Sequence, residues 1–189
     1  WIRGRQGSGK STILKLILGM YPPAEGKILL DELNYATLPP NSIRKNVTVI
    51  SDEAPLIGNT IFKAISYSRA EEKREKAADM LERTGFSING NKNETLDFHL
   101  DDYAKNLSAG QRRQLMFARA FLTRKKVILV DEAFDDLDIE ARQRIIHQLN
   151  KLKAKRTIII ASHQVPYEIK VDHLLNLNEL SPKMQLLVP

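Results

Sequence analysis

Cysteine is absent from this sequence of 189 residues, and aromatic residues make up only 6% of it. Without cysteine, the chain can form neither a disulfide framework nor a thiolate metal site. No apolar run approaches the roughly 20 residues that a membrane-spanning helix needs, and the N-terminus does not have the pattern of a signal peptide. These absences predict a domain that works in a reducing compartment, the cytosol.

Positive charge is in excess, since 29 lysines and arginines against 23 acidic residues give a net charge of +6. The basic residues cluster at 124–126 and at 151–156. A nucleic-acid-binding surface would need a basic stripe with interleaved aromatic residues, whereas here acidic residues are mixed in and aromatic residues are few. A solvated basic surface is the favoured interpretation, contact with anionic lipid head groups is an alternative, and no nucleic acid partner is expected.

Residues 4–12 read G-R-Q-G-S-G-K-S-T and fit the phosphate-binding pattern G-x-x-x-x-G-K-[ST], the P-loop or Walker A motif. Glycines in such a loop let successive backbone N–H groups point at anionic oxygens. Lys10 can reach the β- and γ-phosphates of a nucleotide, and the Ser11 hydroxyl can ligate Mg²⁺. A chance glycine-rich turn is the alternative, but the helix predicted at 11–18 also directs the positive end of its dipole at the anion. The predicted phosphate-binding residues are Arg5, Gln6, Gly7, Ser8, Gly9, Lys10, Ser11 and Thr12.

Short apolar strands alternate with helical patterns along the chain, which favours a parallel sheet covered on both faces. Pro39 and Pro40 predict a break, and the polar stretch 86–106 predicts an irregular loop. We predict strands at 26–31, 47–51, 126–131, 156–162 and 172–177, and helices at 11–18, 60–67, 69–84, 108–123 and 138–153.

The helices predicted between 60 and 123 have no strands between them. We therefore predict a single α/β domain over residues 1–189, with a P-loop NTPase core and a mostly parallel sheet from 1–59 and 124–189, and an inserted α-helical subdomain at 60–123. A P-loop ordinarily follows a buried strand, but only three residues precede Gly4. We expect the chain to be N-terminally truncated, a fragment of a longer protein.

Four apolar residues at 127–130 are followed by Asp131 and Glu132, which is the Walker B pattern. The carboxyl end of a buried parallel strand lies beside the P-loop in an open α/β sheet. Asp131 would hold Mg²⁺ through water, and Glu132 would be the general base, or the carboxylate that polarises the attacking water. The alternative, a strand that merely ends in a polar turn, loses weight because a P-loop lies upstream.

Ser108 and Gln111 form the S-x-x-Q pattern of a capping box at the start of the helix predicted at 108–123. A plain helix start explains these two residues. It does not explain Gly110, because glycine in a helix costs about 1 kcal/mol relative to alanine. A small, bare helix N-terminus is what an anion site requires.

The run L-S-A-G-Q at 107–111, followed by R-R-Q-L-M-F-A-R-A-F-L, resembles the signature motif of the ATP-binding cassette (ABC) ATPases. The order of P-loop, helical lobe, signature, D-E and a strand that ends before a histidine is also similar to that family. The resemblance implies ATP and Mg²⁺ as ligands, and a head-to-tail dimer in which the signature of one subunit completes the ATP site of the other. The residues that it adds to the nucleotide site are Ser108, Ala109, Gly110 and Gln111 in the signature, Asp138 in the D-loop, and His163 as the switch histidine at the γ-phosphate.

Two positions depart from the family pattern. The signature usually reads L-S-G-G-Q, so Ala109 places a methyl group where the backbone approaches phosphate, and we expect function to survive it. The segment 51–61 resembles the Q-loop, in a register that puts Asp52 where the family has glutamine; a register shifted by one residue is the alternative. Asp52 still offers an oxygen to Mg²⁺, but its charge should repel the γ-phosphate unless the metal screens it. The predicted metal ligands are Ser11, Asp52 and Asp131.

The segments 38–47 and 60–65 resemble the exporter-type branch of the family. That resemblance implies an ATPase at the cytoplasmic face of a membrane, with Lys10, Glu132 and His163 as catalytic residues. Its partner would be a transmembrane domain, usually upstream in the same polypeptide, and hydrolysis would power transport. Two alternatives stay open: a non-transport ABC ATPase that acts on nucleic acid or protein assemblies, and a degenerate half-site that binds ATP with little turnover.

Overall fold

A computed structural model describes residues 1–67, 70–88 and 91–179 of the chain. Arg69, the first residue of a predicted helix, lies outside the described residues, and so do residues 89 and 90 of the predicted irregular stretch and residues 180–189 of the predicted core. The described residues form seven strands and seven α-helices, which confirms the predicted α/β class.

The elements alternate along the chain as the sequence patterns indicate. The strands are β1 (Ile2–Arg3), β2 (Leu29–Leu30), β3 (Leu33–Asn34), β4 (Val47–Ile50), β5 (Val127–Asp131), β6 (Thr157–Ser162) and β7 (Leu175–Asn176). The helices are α1 (Lys10–Ile17), α2 (Pro40–Asn46), α3 (Ile61–Ser66), α4 (Arg74–Arg83), α5 (Lys92–Asp97), α6 (Ala109–Leu122) and α7 (Ile139–Leu152).

The chain folds as two compact units. The helical subdomain predicted at 60–123 falls within the second unit, which is larger than that prediction at both ends and takes in α7 as well. The first unit comprises Trp1–Val49, Lys125–Glu132 and the described part of Lys155–Pro189, and the second comprises Ile50–Arg124 and Ala133–Ala154.

The first unit is built on a five-stranded sheet in the order β4-β5-β6-β1-β7. Strand β6 pairs in parallel with β1 and with β5, and β1 also pairs in parallel with β7. Ala161 of β6 lies opposite Ile2 of β1 and opposite Asp131 of β5. The carboxyl ends of these three strands therefore reach the same edge of the sheet. The apolar core of this unit contains Ile2, Leu14, Ile43, Val47, Val127, Leu129, Ala161 and Leu177.

Helix α6 lies at the centre of the second unit. It contacts α3, α4 and α7, and every residue from Arg113 to Phe121 is buried. The Phe117 ring packs against those of Phe121 and Phe134, with ring centroids 5.8 and 5.7 Å apart. A charged side chain in such a helix needs specific partners, and Arg113 and Arg119 are both buried here.

Of two predictions about residues 26–46, one is confirmed and one is wrong. The predicted break at the proline pair is present, because a short helical turn over Tyr35–Thr37 ends before it and α2 begins at Pro40. Proline is tolerated at the first helical position, where its missing N–H would have no partner within the helix. The strand predicted at 26–31 is shorter and forms a ribbon: β2 turns through Asp31 and Glu32, both at positive φ, and pairs antiparallel with β3.

The stretch 86–106 is not irregular throughout, because it contains α5. A reciprocal capping box starts this helix: the Glu94 N–H donates to Asn91 Oδ1 at 3.0 Å, and the Asn91 N–H donates to Glu94 Oε2 at 3.3 Å. The signal was present in the sequence as N-x-x-E. Because the whole stretch is polar, this capping signal was not interpreted as the start of a helix.

Candidate functional site

The loop between β1 and α1 ends in a bare helix N-terminus. Gly7 and Gly9 adopt left-handed φ values of 77° and 91°, which residues with a side chain rarely adopt. Gly9 is the N-cap of α1, no side chain of the described residues caps it, and the first turn contains no acidic residue. The first intrahelical bond runs from the Ile13 N–H to Gly9 O at 3.0 Å. The N–H groups before it point out of the helix end, where an anion fits.

Close packing beneath this loop sets its shape. A Cβ on Gly4 would lie 2.2 Å from Ser8 Oγ, so a side chain at that position would force the Ser8 hydroxyl to move. Ser8 and Gly9 are half-buried, and Ser11 is exposed on the first turn of α1. Of the other predicted phosphate-binding residues, Arg5, Gln6 and Gly7 are exposed and Thr12 is half-buried.

Lys10 is the first residue of α1, and its side chain is only 7% exposed. Its Nζ donates to the carbonyl oxygens of Gly4 and Arg5, each at 3.0 Å, and lies 3.3 Å from Glu132 Oε1. A buried ammonium group needs such partners. The three contacts hold the Lys10 charge over the loop and beside the carboxylate of Glu132.

Glu132 follows β5 in a left-handed conformation, with φ at 45°, which costs of order 1–3 kcal/mol in a residue with a side chain. Its N–H donates to Ala161 O of β6 at 3.0 Å. Its Oε2 lies 3.5 Å from Nδ1 of His163, an exposed residue directly after β6. Glu132, His163 and Lys10, which the sequence singles out, thus meet at one carboxylate.

Asp131 ends β5 as a half-buried residue at the same edge of the sheet. The described residues contain no group of three or more histidine, aspartate or glutamate side chains that could hold a metal ion by themselves. Mg²⁺ ordinarily takes one or two carboxylates together with phosphate oxygens and water. The Asp131 carboxylate and the exposed Ser11 hydroxyl are the hard oxygen donors that such a shared shell uses.

The tip of α6 is open to solvent. The predicted capping box is reciprocal: the Gln111 N–H donates to Ser108 Oγ at 3.1 Å, and the Ser108 N–H donates to Gln111 Oε1 at 3.0 Å. Ser108 and Ala109 are both exposed. Another molecule can therefore reach this helix end.

Gly110 has a packing role that sequence reasoning missed. A Cβ on Gly110 would lie 2.6 Å from the carbonyl oxygen of Asp136. A side chain at this position would push the segment 134–137 away from α6. The absence of a side chain is thus explained by local packing, whether or not an anion binds at the helix end.

Two predicted acidic residues have structural partners of their own. Asp52 Oδ2 accepts a hydrogen bond from Arg113 Nη2 at 2.7 Å, a contact that sequence reasoning missed. Arg113 stands in the polar run Q-R-R-Q at 111–114, so no local signal distinguished it from a solvated charge. Asp138 is the N-cap of α7, where its Oδ1 accepts from the Ala141 N–H at 2.8 Å.

The chain is similar to proteins of known family. The family model described as "ABC transporter" matches residues 1–135. The ATP-dependent lipid A-core flippase of Pasteurella multocida is 33% identical over 174 residues, and that of Blochmanniella floridana is 36% identical over 176 residues. Each match covers 91% of this chain and 30% of the relative, so the chain spans less than a third of these relatives.

A solved structure has a similar fold. The structure of a bacterial Atm1-family ABC exporter with ATP bound matches with a TM-score of 0.79 at 26% identity, over 93% of this chain and 31% of that one. Within residues 1–67, 70–88 and 91–179, no helix combines the length and the apolar character that crossing a membrane requires.

We expect Gly110→Ala to lower the free energy of unfolding by about 1–3 kcal/mol, because the new methyl group meets a backbone carbonyl that has to move. Urea unfolding measures this as a lower midpoint at an unchanged slope. Ala109→Gly, an exposed change in the same turn, is the matched control and should cost no more than about 1 kcal/mol. Equal stability of wild type and Gly110→Ala would contradict the packing role.

Proposed function

We propose that this chain, which belongs to the ABC transporter family, is the ATP-binding and ATP-hydrolysing domain of an exporter. The observation that carries the proposal is the position of Lys10 and His163, 3.3 and 3.5 Å from the two carboxylate oxygens of Glu132. Glu132 and His163 come after the carboxyl ends of β5 and β6, and the N-terminus of α1, capped by no side chain of the described residues, comes after β1 at the same edge of the sheet. A cation, a base and a histidine beside an anion cradle suit phosphoryl transfer to water.

Each residue of the cluster has one task in the proposed hydrolysis. The N–H groups at the start of α1 bind the phosphates, and Lys10 turns its ammonium group from the carbonyl oxygens of Gly4 and Arg5 toward the β- and γ-phosphates. Glu132 orients the attacking water and accepts its proton. His163 donates a hydrogen bond to the γ-phosphate, which stabilises charge during transfer.

We expect Glu132→Gln to reduce steady-state ATP turnover at least about 100-fold, because the amide cannot accept the proton. The ATP-bound dimer should live longer, since it is no longer reset by hydrolysis. Phosphate release measures the first effect, and size-exclusion chromatography with ATP measures the second. Glu140→Gln, on the exposed side of α7, is the matched control and should turn over at the wild-type rate.

A degenerate half-site is the second candidate function, motivated by Asp52 and Ala109, the two departures from the family pattern. It predicts ATP binding and dimerisation with little turnover. Equal turnover in wild type and Glu132→Gln would refute the base role and favour this candidate.

Mg²⁺ is part of the proposal. When bound, it screens the phosphate charges and orients them for in-line attack. Ser11 and Asp131, both in the first unit, are the residues that would hold it, and both offer hard oxygen donors. Asp52, the third ligand predicted from the sequence, belongs to the second unit, where its Oδ2 accepts a hydrogen bond from Arg113.

Chelation of Mg²⁺ by EDTA should abolish turnover, and added Mg²⁺ should restore it. Asp131→Asn should raise the Mg²⁺ concentration for half-maximal turnover about tenfold or more, because the ligand loses its charge. Asp135→Asn, at an exposed aspartate four positions further along the chain, should leave that concentration unchanged. Turnover that persists in excess EDTA would contradict the metal role.

The proposed partner at the tip of α6 is a second nucleotide-binding domain. Ser108 and Ala109 are exposed there, and the N–H groups of a first helical turn seek an acceptor. In a head-to-tail dimer the turn from Ser108 to Gln111 would contact the phosphates held by the Walker A loop of the other subunit. Asp138, exposed at the start of α7, would approach the same site.

A transmembrane domain is the other proposed partner, and it would keep this chain at the cytoplasmic face of a membrane. The second unit has a cavity of about 770 Å³ whose lining includes Leu56, Ile57, Asp102 and Tyr103. Ile57 and Tyr103 are 65% and 67% exposed. Exposed apolar side chains around a cavity suit a docking segment of another domain.

The residues encoded before Trp1 test this partner. Membrane-spanning segments in the same polypeptide are the expected result, because an exporter needs a pathway through the bilayer. A full-length polypeptide without such segments, and without a membrane subunit that copurifies with it, would favour a non-transport ABC ATPase. The net charge of +6 motivates that alternative.

A further inference from the structure

Arg113 on α6 contacts two acidic residues from different segments of the second unit. Its Nη2 donates to Asp52 Oδ2 at 2.7 Å, two residues beyond β4 in the sequence. Its Nε lies 3.5 Å from Asp136 Oδ2, in the segment that precedes α7. One guanidinium group thus joins both segments to the helix that begins after Ser108.

The three charged groups depend on one another unequally, because only the arginine is buried. The side chain of Arg113 is 5% exposed, whereas those of Asp52 and Asp136 are 83% and 46% exposed. The Nε and Nη1 atoms of Arg113 are buried and make no hydrogen bond within the described part of the chain. The two carboxylates therefore compensate a buried cation that needs them, while each of them would remain solvated without it.

Arg119, further along α6, contacts the segment 52–55 as well. Its Nη2 donates to Ala54 O at 3.1 Å, and its Nη1 donates to Pro55 O at 2.8 Å. The two arginines are six positions apart, about 9 Å along the helix axis. Segment 52–55 is thus held by backbone contacts through Arg119, and by a side-chain contact through Arg113.

We propose that Arg113 is a positioning residue that joins Asp52, Asp136 and the tip of α6 into one body. The backbone supports this coupling, since Gly110 packs against the Asp136 carbonyl oxygen less than one turn before Arg113. The same contact neutralises the charge by which Asp52 is expected to repel the γ-phosphate. The consequence for turnover rests on the proposed function, whereas the coupling itself does not.

A double-mutant cycle in the 189-residue chain tests the coupling. Asp52→Asn leaves the buried guanidinium with Asp136 alone, and we expect Tm to fall by roughly 4–10 °C. In Arg113→Met an apolar side chain of similar reach replaces the cation, so adding Asp52→Asn should shift Tm by less than about 1 °C. Equal Tm shifts from Asp52→Asn in the two backgrounds would overturn the proposal.

Amide hydrogen exchange shows whether the two segments are held together. In Arg113→Met, exchange should accelerate about tenfold or more at both 51–56 and 134–137, with no change at 141–149 in α7. Arg113→Lys keeps a charge for Asp52 but lacks the Nε–H that faces Asp136, so it should restore protection at 51–56 only. Acceleration confined to one segment in Arg113→Met would overturn the proposal.

Turnover distinguishes this proposal from the proposed function. Arg113→Met should lower kcat about tenfold and change KM for ATP less than about twofold, because the P-loop is untouched. Glu140→Gln removes the exposed ion pair with Arg144, 2.7 Å long, and as matched control should leave kcat and Tm unchanged. An unchanged kcat for Arg113→Met in an active enzyme would overturn the role in turnover. A wild type without ATPase activity, with the Tm and exchange results as expected, would refute the proposed function and leave the coupling intact.

Discussion

Strand β6 pairs in parallel with β1 on one side and with β5 on the other, and the candidate site depends on that double pairing. Because Ala161 lies opposite one residue of each neighbour, the three strands end level with one another. The glycine loop follows β1, Glu132 follows β5 and His163 follows β6, so this register, together with the loop that holds Lys10, brings Lys10 and His163 to one carboxylate. A slip of one residue in either pairing would turn the side chains to the opposite face and separate these groups.

Helix α6 has a comparable place in the second unit. Its tip is capped by Ser108 and open to solvent, while its body is buried among other helices. Both arginines on the buried part have partners: Arg113 contacts the carboxylates of Asp52 and Asp136, and Arg119 donates hydrogen bonds to backbone carbonyl oxygens. The helix is therefore part of the apolar core and also the support to which the segments around Asp52 and Asp136 are attached.

The features that could be predicted from the sequence are those encoded by neighbouring residues. Glycine spacing predicts the loop before Lys10, and a buried apolar strand followed by two acids predicts the position of Glu132. Contacts between distant residues could not be predicted in this way. Arg113 and Asp52 are separated by 61 positions, and the packing of Gly110 depends on a carbonyl group from another segment. Helix α5 is an intermediate case, since its N-cap pattern N-x-x-E could be recognised but the polarity of its residues suggested a loop.

The left-handed backbone at Glu132 also limits how this position can diverge over time. A φ of 45° is readily adopted by glycine and, among residues with side chains, most readily by asparagine and aspartate, whereas β-branched residues are strongly disfavoured there. If the glutamate is replaced during evolution, glycine, asparagine or aspartate can take its place without a change in the backbone turn after β5. A change to valine would have to alter the backbone as well as the chemistry. Descendants that no longer carry the glutamate should therefore have glycine, asparagine or aspartate here, on an otherwise unchanged backbone.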